Sequence, residues 1–191
     1  YTGAYHETEN VGVITKLNGK RRLAEIDGKP AIKVYSKWTG KALKDLKDTD
    51  LQKVTVREPL GIKDRLGDLV AIRYPLFGND DLSLEVGNNL AVNTAVIQMK
   101  ATIKELVEST GNTLKEVRTN LPCEAGAYLL MHNVGRKLGI GTKLKEVVKQ
   151  LQEESKGVPF ITVFTFGEYG SVNHGENTCG DLMLSFTGFG K

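Results

Sequence analysis

The chain has only two cysteines in 191 residues, Cys123 and Cys179. They are too few for a disulfide framework and have neither C-x-x-C nor zinc-finger spacing, so both read as reduced thiols. Long hydrophobic runs are also missing. None approaches the roughly 18 residues that a membrane-spanning helix needs, and no basic, apolar leader opens the sequence. Those absences set the expectation of a cytoplasmic location with no membrane partner. Charge is not gathered by sign either. The net charge is +3, but Lys and Asp/Glu alternate through segments such as Lys41 to Lys53. Phosphate neutralisation needs a concentrated positive surface, so no nucleic-acid partner is expected. Repeats and low-complexity segments are absent. The polar opening from Tyr1 to Asn10, without an initiating Met, sets the expectation that the chain is an excerpt of a longer protein.

What is present is an ordinary globular composition, 40% hydrophobic and 26% charged, enough to form a core. Val11 to Leu17 and Arg22 to Asp27 flank Asn18-Gly19, the pair that favours a tight hairpin turn. Ala31, Val34, Tyr35 and Trp38 recur at helical spacing between Pro30 and Gly40, with Tyr35 and Trp38 as core aromatics. Lys41 to Asp50 reads as a short surface helix or loop. Val54-Thr55-Val56 predicts a short strand. Leu69 to Pro75, Leu82 to Val86 and Ala95 to Met99 predict further strands, joined too tightly to be mostly parallel. Ala101 to Asn120 predicts the longest helical stretch, one helix or two meeting at Gly111-Asn112, where a mid-helix Gly is costly. Ala127 to His132 reads as a buried strand. Thr142 is the expected N-cap of a helix over Lys143 to Glu154, whose Leu144, Val147, Val148 and Leu151 form an apolar stripe. Two core strands follow, Pro159 to Phe166 and Leu182 to Phe186, separated at Gly167-Glu168 by a polar loop. The fold class is α+β, with a mostly antiparallel or mixed sheet and three to four packed helices. One domain over 1–191 is expected, the alternative division being two lobes, 1–98 and 99–191.

Three places carry candidate chemistry. Glu168, His174, Glu176, Asn177 and Cys179 could supply a thiol nucleophile, an imidazole base and a carboxylate orienter. Their spacing is all local, whereas a nucleophile and its base normally converge from separate elements, so a polar surface loop and a ligand-contacting loop stand ahead of catalysis. A metal site is not expected, because His174, Glu176 and Cys179 lack helical metal-ligand pairing. His132-Asn133-Val134-Gly135-Arg136 follows a buried strand, where Arg136 could clamp a carboxylate with its planar fork and His132 could equally be a hydrogen-bonded core residue. Gly139 to Lys143 only faintly suggests a phosphate loop and lacks the Walker spacing. Arg73 alternates with apolar neighbours in its strand and faces either solvent or a pocket.

Several segments taken together resemble the C-terminal domain of the FIST family, named for F-box and intracellular signal transduction proteins. They are Glu25 to Tyr35, Pro59-Leu60-Gly61-Ile62, Val70 to Pro75, Ala125 to Met131, Gly135-Arg136, Val158-Pro159-Phe160 and Thr165-Phe166-Gly167-Glu168. Their order and spacing, over nearly the whole chain, carry the resemblance. Two places depart from the family pattern: His132-Asn133 stands where a Cys is expected before the Gly-Arg pair, and Thr178 to Asp181 replaces a His-Asn-x-Thr-like end. The resemblance implies a sensory domain of bacterial signalling that binds a small-molecule ligand, an amino acid or a related metabolite. It also implies an N-terminal FIST domain in the full-length protein and a signalling output domain as partners. No cofactor and no catalysis are implied. The expected ligand-binding residues are Arg73, His132, Arg136, Glu168 and Asn177. Two other classes remain open: a thiol- or carboxylate-dependent hydrolase or transferase using Cys179, His174 and Glu168, and a protein-interaction module with an exposed edge strand or apolar patch.

Overall fold

A computed structural model describes residues 1–63, 69–171 and 177–191. His174 and Glu176, two members of the terminal cluster, lie outside the described residues. The chain forms two compact units, Tyr5–Lys100 and a second made of Tyr1–Ala4 with Ala101–Lys191. Each follows from its own sequence patterns, and together they make an α+β protein.

In the unit Tyr5–Lys100, β1 (His6–Leu17) and β2 (Arg22–Ile26) form the antiparallel hairpin expected around Asn18-Gly19. Gly19 takes a positive φ of 84°. Asp27 and Gly28, also at positive φ, turn the chain into the short β3 (Lys29–Pro30). Pro30 then precedes α1 (Ala31–Thr39), and Gly40 closes that helix in the left-handed conformation. β4 (Thr49–Asp50) is followed by α2 (Gln52–Thr55). Then come β5 (Leu60–Lys63), β6 (Leu69–Arg73), β7 (Pro75–Gly78), β8 (Leu84–Val86) and β9 (Ala95–Lys100). The sheet order is β4-β7-β8-β2-β1-β9-β5-β6, with β3 beside β2. Ile14, Leu23 and Ile26 of the hairpin pack with Ile32 and Tyr35 of α1 in one apolar cluster, and Trp38 leans on it partly buried.

One expectation here is overturned. Val54 and Thr55 belong to α2 and Val56 to the turn that ends it, not to a strand. The Asp50 carboxylate accepts the Gln52 N–H at 2.9 Å. The Thr55 hydroxyl, fully buried, hydrogen-bonds the carbonyls of Leu51 at 3.0 Å and Pro75 at 2.7 Å. A local Asp50 turn and a tertiary hydrogen bond thus outweigh the weak β preference of three residues.

The second unit contains α3 (Ile103–Asn120), β10 (Ala125–Asn133), α4 (Val134–Ile140), α5 (Leu144–Ser155), β11 (Phe160–Thr165), β12 (Glu168–Gly170), β13 (Thr178–Gly180) and β14 (Leu184–Gly190). β10 lies between β11, to which it runs parallel, and β14, to which it is antiparallel. β12 and β13 form a separate antiparallel pair. α3 is a single helix, not two. Thr102 and Glu105 cap it reciprocally, the Glu105 N–H donating to the Thr102 hydroxyl at 3.2 Å and the Thr102 N–H to the Glu105 carboxylate at 2.7 Å. Gly111 is there for close helix packing, since a Cβ on it would meet the Gln150 side chain of α5 at 2.9 Å. α5 starts after a 3-10 turn over Gly141–Lys143, so Lys143 rather than Thr142 occupies its N-cap position. β11 is an edge strand rather than a core strand: Ile161 is 62% exposed and Val163 41%.

Candidate functional site

β10 and β11 run in parallel register with Asn133 opposite Thr165, so the two strands finish side by side. The chain bends through Phe166 and Gly167 and enters β12 at Glu168. Glu168, placed by the sequence on a polar loop, is instead fully buried. The Asn133 amide donates to both of its carboxyl oxygens, at 3.0 Å each. The Thr165 hydroxyl bonds Oε1 at 2.6 Å, and the Met183 N–H, just before β14, donates to Oε2 at 3.2 Å. Burial pushes the Glu168 carboxyl up to about 7. The hydrogen bonds from Thr165, Asn133 and Met183 pull the other way, and the neighbouring Asp181 adds to the rise. The side chain therefore sits near the midpoint of its titration at neutral pH, while joining the ends of two strands to the turn before a third.

Asn133 has a second role. Its Oδ1 accepts the Gly135 N–H at 2.8 Å and so caps α4. One amide thus couples the Glu168 carboxylate to the start of a helix that the sequence reading missed.

His132 is fully buried, and its Nδ1 lies 3.0 Å from the Asn133 carbonyl oxygen. A carbonyl can only accept, which makes Nδ1 the protonated nitrogen and leaves Nε2 as an acceptor. That Nε2 has no hydrogen-bond partner among the described residues. Burial first, then the Arg136 charge, depresses the imidazole to about 4, so the ring is neutral at physiological pH. Its edge meets the Phe164 ring, with centroids 5.5 Å apart and planes at 66°. Lys137 of α4 places its ammonium 4.2 Å from the same Phe164 ring.

Arg136, on α4, is also fully buried. Its guanidinium donates to the Leu106 carbonyl at 2.9 Å, to the Ser109 hydroxyl at 2.6 Å and to the Leu182 carbonyl at 3.3 Å, tying α3 and the turn before β14 to α4. Asn177 is exposed immediately before β13. Cys179 is a half-buried thiol on β13, outside any disulfide and opposite Tyr169 in register. Arg73 lies in the other unit, where its guanidinium donates to the carbonyls of Asn89 at 2.9 Å and Ile72 at 3.0 Å.

The Asn133 side chain thus holds Glu168 while its backbone carbonyl meets the His132 ring, and Arg136 stands near enough to His132 to shift its titration. Sequence reasoning missed Thr165 and Met183 as partners of Glu168. Thr165 had a signal in its i, i+3 spacing from the carboxylate; Met183 had none, because it contributes a backbone N–H. Among the described residues no group of His, Cys, Asp and Glu is placed to hold a metal ion.

An α+β protein with a buried carboxylate joining a parallel strand pair to a helix cap is the class that fold and site define. Residues 31–171 match the family model of the FIST C domain, and the chain belongs to that family of signal-transduction sensory domains. No curated protein and no solved structure gives a significant match to the chain.

Proposed function

We propose that this chain is a non-catalytic sensory domain that binds a small zwitterion, an amino acid or a close relative, at the Glu168 cluster. The observation that carries the reading is the buried Glu168 carboxyl, balanced between its charge states where β10 and β11 end, with a buried imidazole on β10 whose Nε2 has no donor among the described residues. A buried acceptor left unpaired costs about 1–3 kcal/mol, which a bound ammonium or N–H group would recover. An ammonium beside Glu168 favours its charged form for the same reason that any nearby opposite charge does. Glu168 meets the ammonium end, with His132 and Asn177 the further polar groups of the reading; Arg136, already committed to Leu106, Ser109 and Leu182, holds the surrounding segments in place. Arg73, which belongs to the other unit, is not part of this reading.

Signalling follows from what Glu168 holds. Its hydrogen bonds reach Thr165 at the end of β11, Asn133 at the cap of α4 and the Met183 backbone before β14. A ligand that fixes the carboxylate in one charge state biases the arrangement of all three segments. A ligand shifts such an equilibrium only by its differential affinity for the two states.

A thermal-shift screen of free amino acids against the wild type and Glu168→Gln tests the proposal. At least one compound is expected to raise the wild-type melting temperature saturably, following RT ln(1 + [L]/Kd), and to do so less in the variant. No stabilisation by any compound at millimolar excess, or equal stabilisation of both proteins, would overturn it.

A further inference from the structure

A concave site lies in the unit Tyr5–Lys100, far along the sequence from the residues above. It is a groove of about 430 Å³ between α1 and the β1–β2 hairpin. That volume falls within the roughly 300–1,000 Å³ typical of small-ligand pockets. Its apolar lining comes from Val11, Pro30, Val34 and Trp38. Val11 is 52% exposed, on a strand where four residues of β1 oppose two of β9 between Glu7 and Val11. Three cations, Lys29, Lys33 and Lys37, border the groove.

The charges are not balanced from within. Asp27 also lines the groove, held by the Val13 N–H at 2.8 Å, and its single charge leaves two of the three cations unbalanced. None of the three ammoniums is in an ion pair among the described residues. Lys33 and Lys37 are one turn apart on α1, an i, i+4 pair of like charges that opposes helix formation. The fold gains nothing evident from keeping them there. An anion in the groove would relieve the repulsion, and the partly exposed indole face of Trp38 offers a stacking surface beside it.

We propose that this groove is a binding site for a small amphipathic anion, a carboxylate or phosphate carried on a flat apolar body. The body would lie on Trp38, Val34 and Val11, and the anionic group would sit among Lys29, Lys33 and Lys37. The site shares no residue with the Glu168 cluster and does not depend on the function proposed for it.

Trp38 is the chain's single tryptophan, so its indole N–H gives one resolved signal in a proton–nitrogen NMR spectrum. Titration with 2-naphthoate is expected to move that signal saturably, together with the amides of Lys33 and Lys37. The neutral 2-naphthamide is expected to bind about tenfold more weakly, having lost the charge-assisted contacts. The double variant Lys33→Gln/Lys37→Gln is expected to weaken 2-naphthoate about tenfold as well. Its melting temperature should be unchanged or slightly raised, because a like-charge pair has been removed. Equal binding of acid and amide, unaltered binding by the double variant, or shifts that map away from α1 would overturn the proposal. So would a response to an oligoglutamate peptide with none to 2-naphthoate, which would make the groove a docking site for an acidic chain.

Discussion

Glu168 and His132 titrate in opposite senses, and this gives the site a signature in stability. The folded protein holds Glu168 at about 7 against an ordinary value of 4.5. The protonated form is favoured on folding, so this contribution is complete below pH 4.5 and is lost as pH rises through 7. His132 is held at about 4 against an ordinary 6.5. The neutral ring is favoured on folding, so its contribution is complete above pH 6.5 and is lost as pH falls through 4. Between pH 4.5 and 6.5 the two slopes cancel, and wild-type stability is expected to be nearly flat in the terms these two groups contribute. Glu168→Gln removes one slope. The variant should gain stability steadily from pH 4 to 6.5 and show no decline beyond it, with a difference in pH dependence of about 3 kcal/mol relative to the wild type. Urea denaturation at half-unit pH intervals measures this. A wild-type profile parallel to that of the variant would mean that Glu168 is not held near neutrality.

At the scale of elements, β11 bears on the interaction-module reading. Its sequence, Phe160 to Thr165, contains no charge and no proline, and it occupies an edge of its sheet. Charged residues, proline and bulges are the usual means of keeping such edges apart. Phe166 and Tyr169, 87% and 73% exposed, extend the apolar surface beyond the strand. An uncharged edge can pair with a second copy of itself without repulsion. If it does so, light scattering at two protein concentrations will show a mass that rises with concentration, and Val163→Lys will abolish the rise; a monomer at both concentrations removes this reading. The same strand shows why burial was hard to read from sequence. Phe160 to Phe166 has the composition of a core strand, and only the position at the sheet edge, set by pairing with distant β10, leaves it open. α4 was missed for another reason: its seven residues include Gly135 and Gly139 and carry no apolar stripe. By contrast, the β1–β2 hairpin, α1 and α3 were legible because a turn pair, a Pro–Gly bracket and a helical period each act locally.

Across the whole molecule, the legible part was the order of local patterns, and that order carried the family assignment. The illegible part was the site's connectivity. Glu168 stood out beside a strand break, but its burial depends on Asn133 and Met183, which only the parallel β10–β11 pairing and the turn before β14 bring to it. Arg136 read as a ligand clamp because a planar cation after a strand suits one; its observed bonds to two backbone carbonyls and a serine hydroxyl could not be read from spacing. Function in this chain therefore turns on whether the buried carboxylate responds to a ligand. The most direct measurement is a carbon-13 NMR titration of the Glu168 carboxyl, alone and with the amino acid that most stabilises the protein. Alone, the midpoint is expected near 7; with ligand it should fall, because an ammonium favours the charged form. A midpoint at the ordinary value of 4.5, or one that the ligand leaves unmoved, would contradict a sensory site at Glu168.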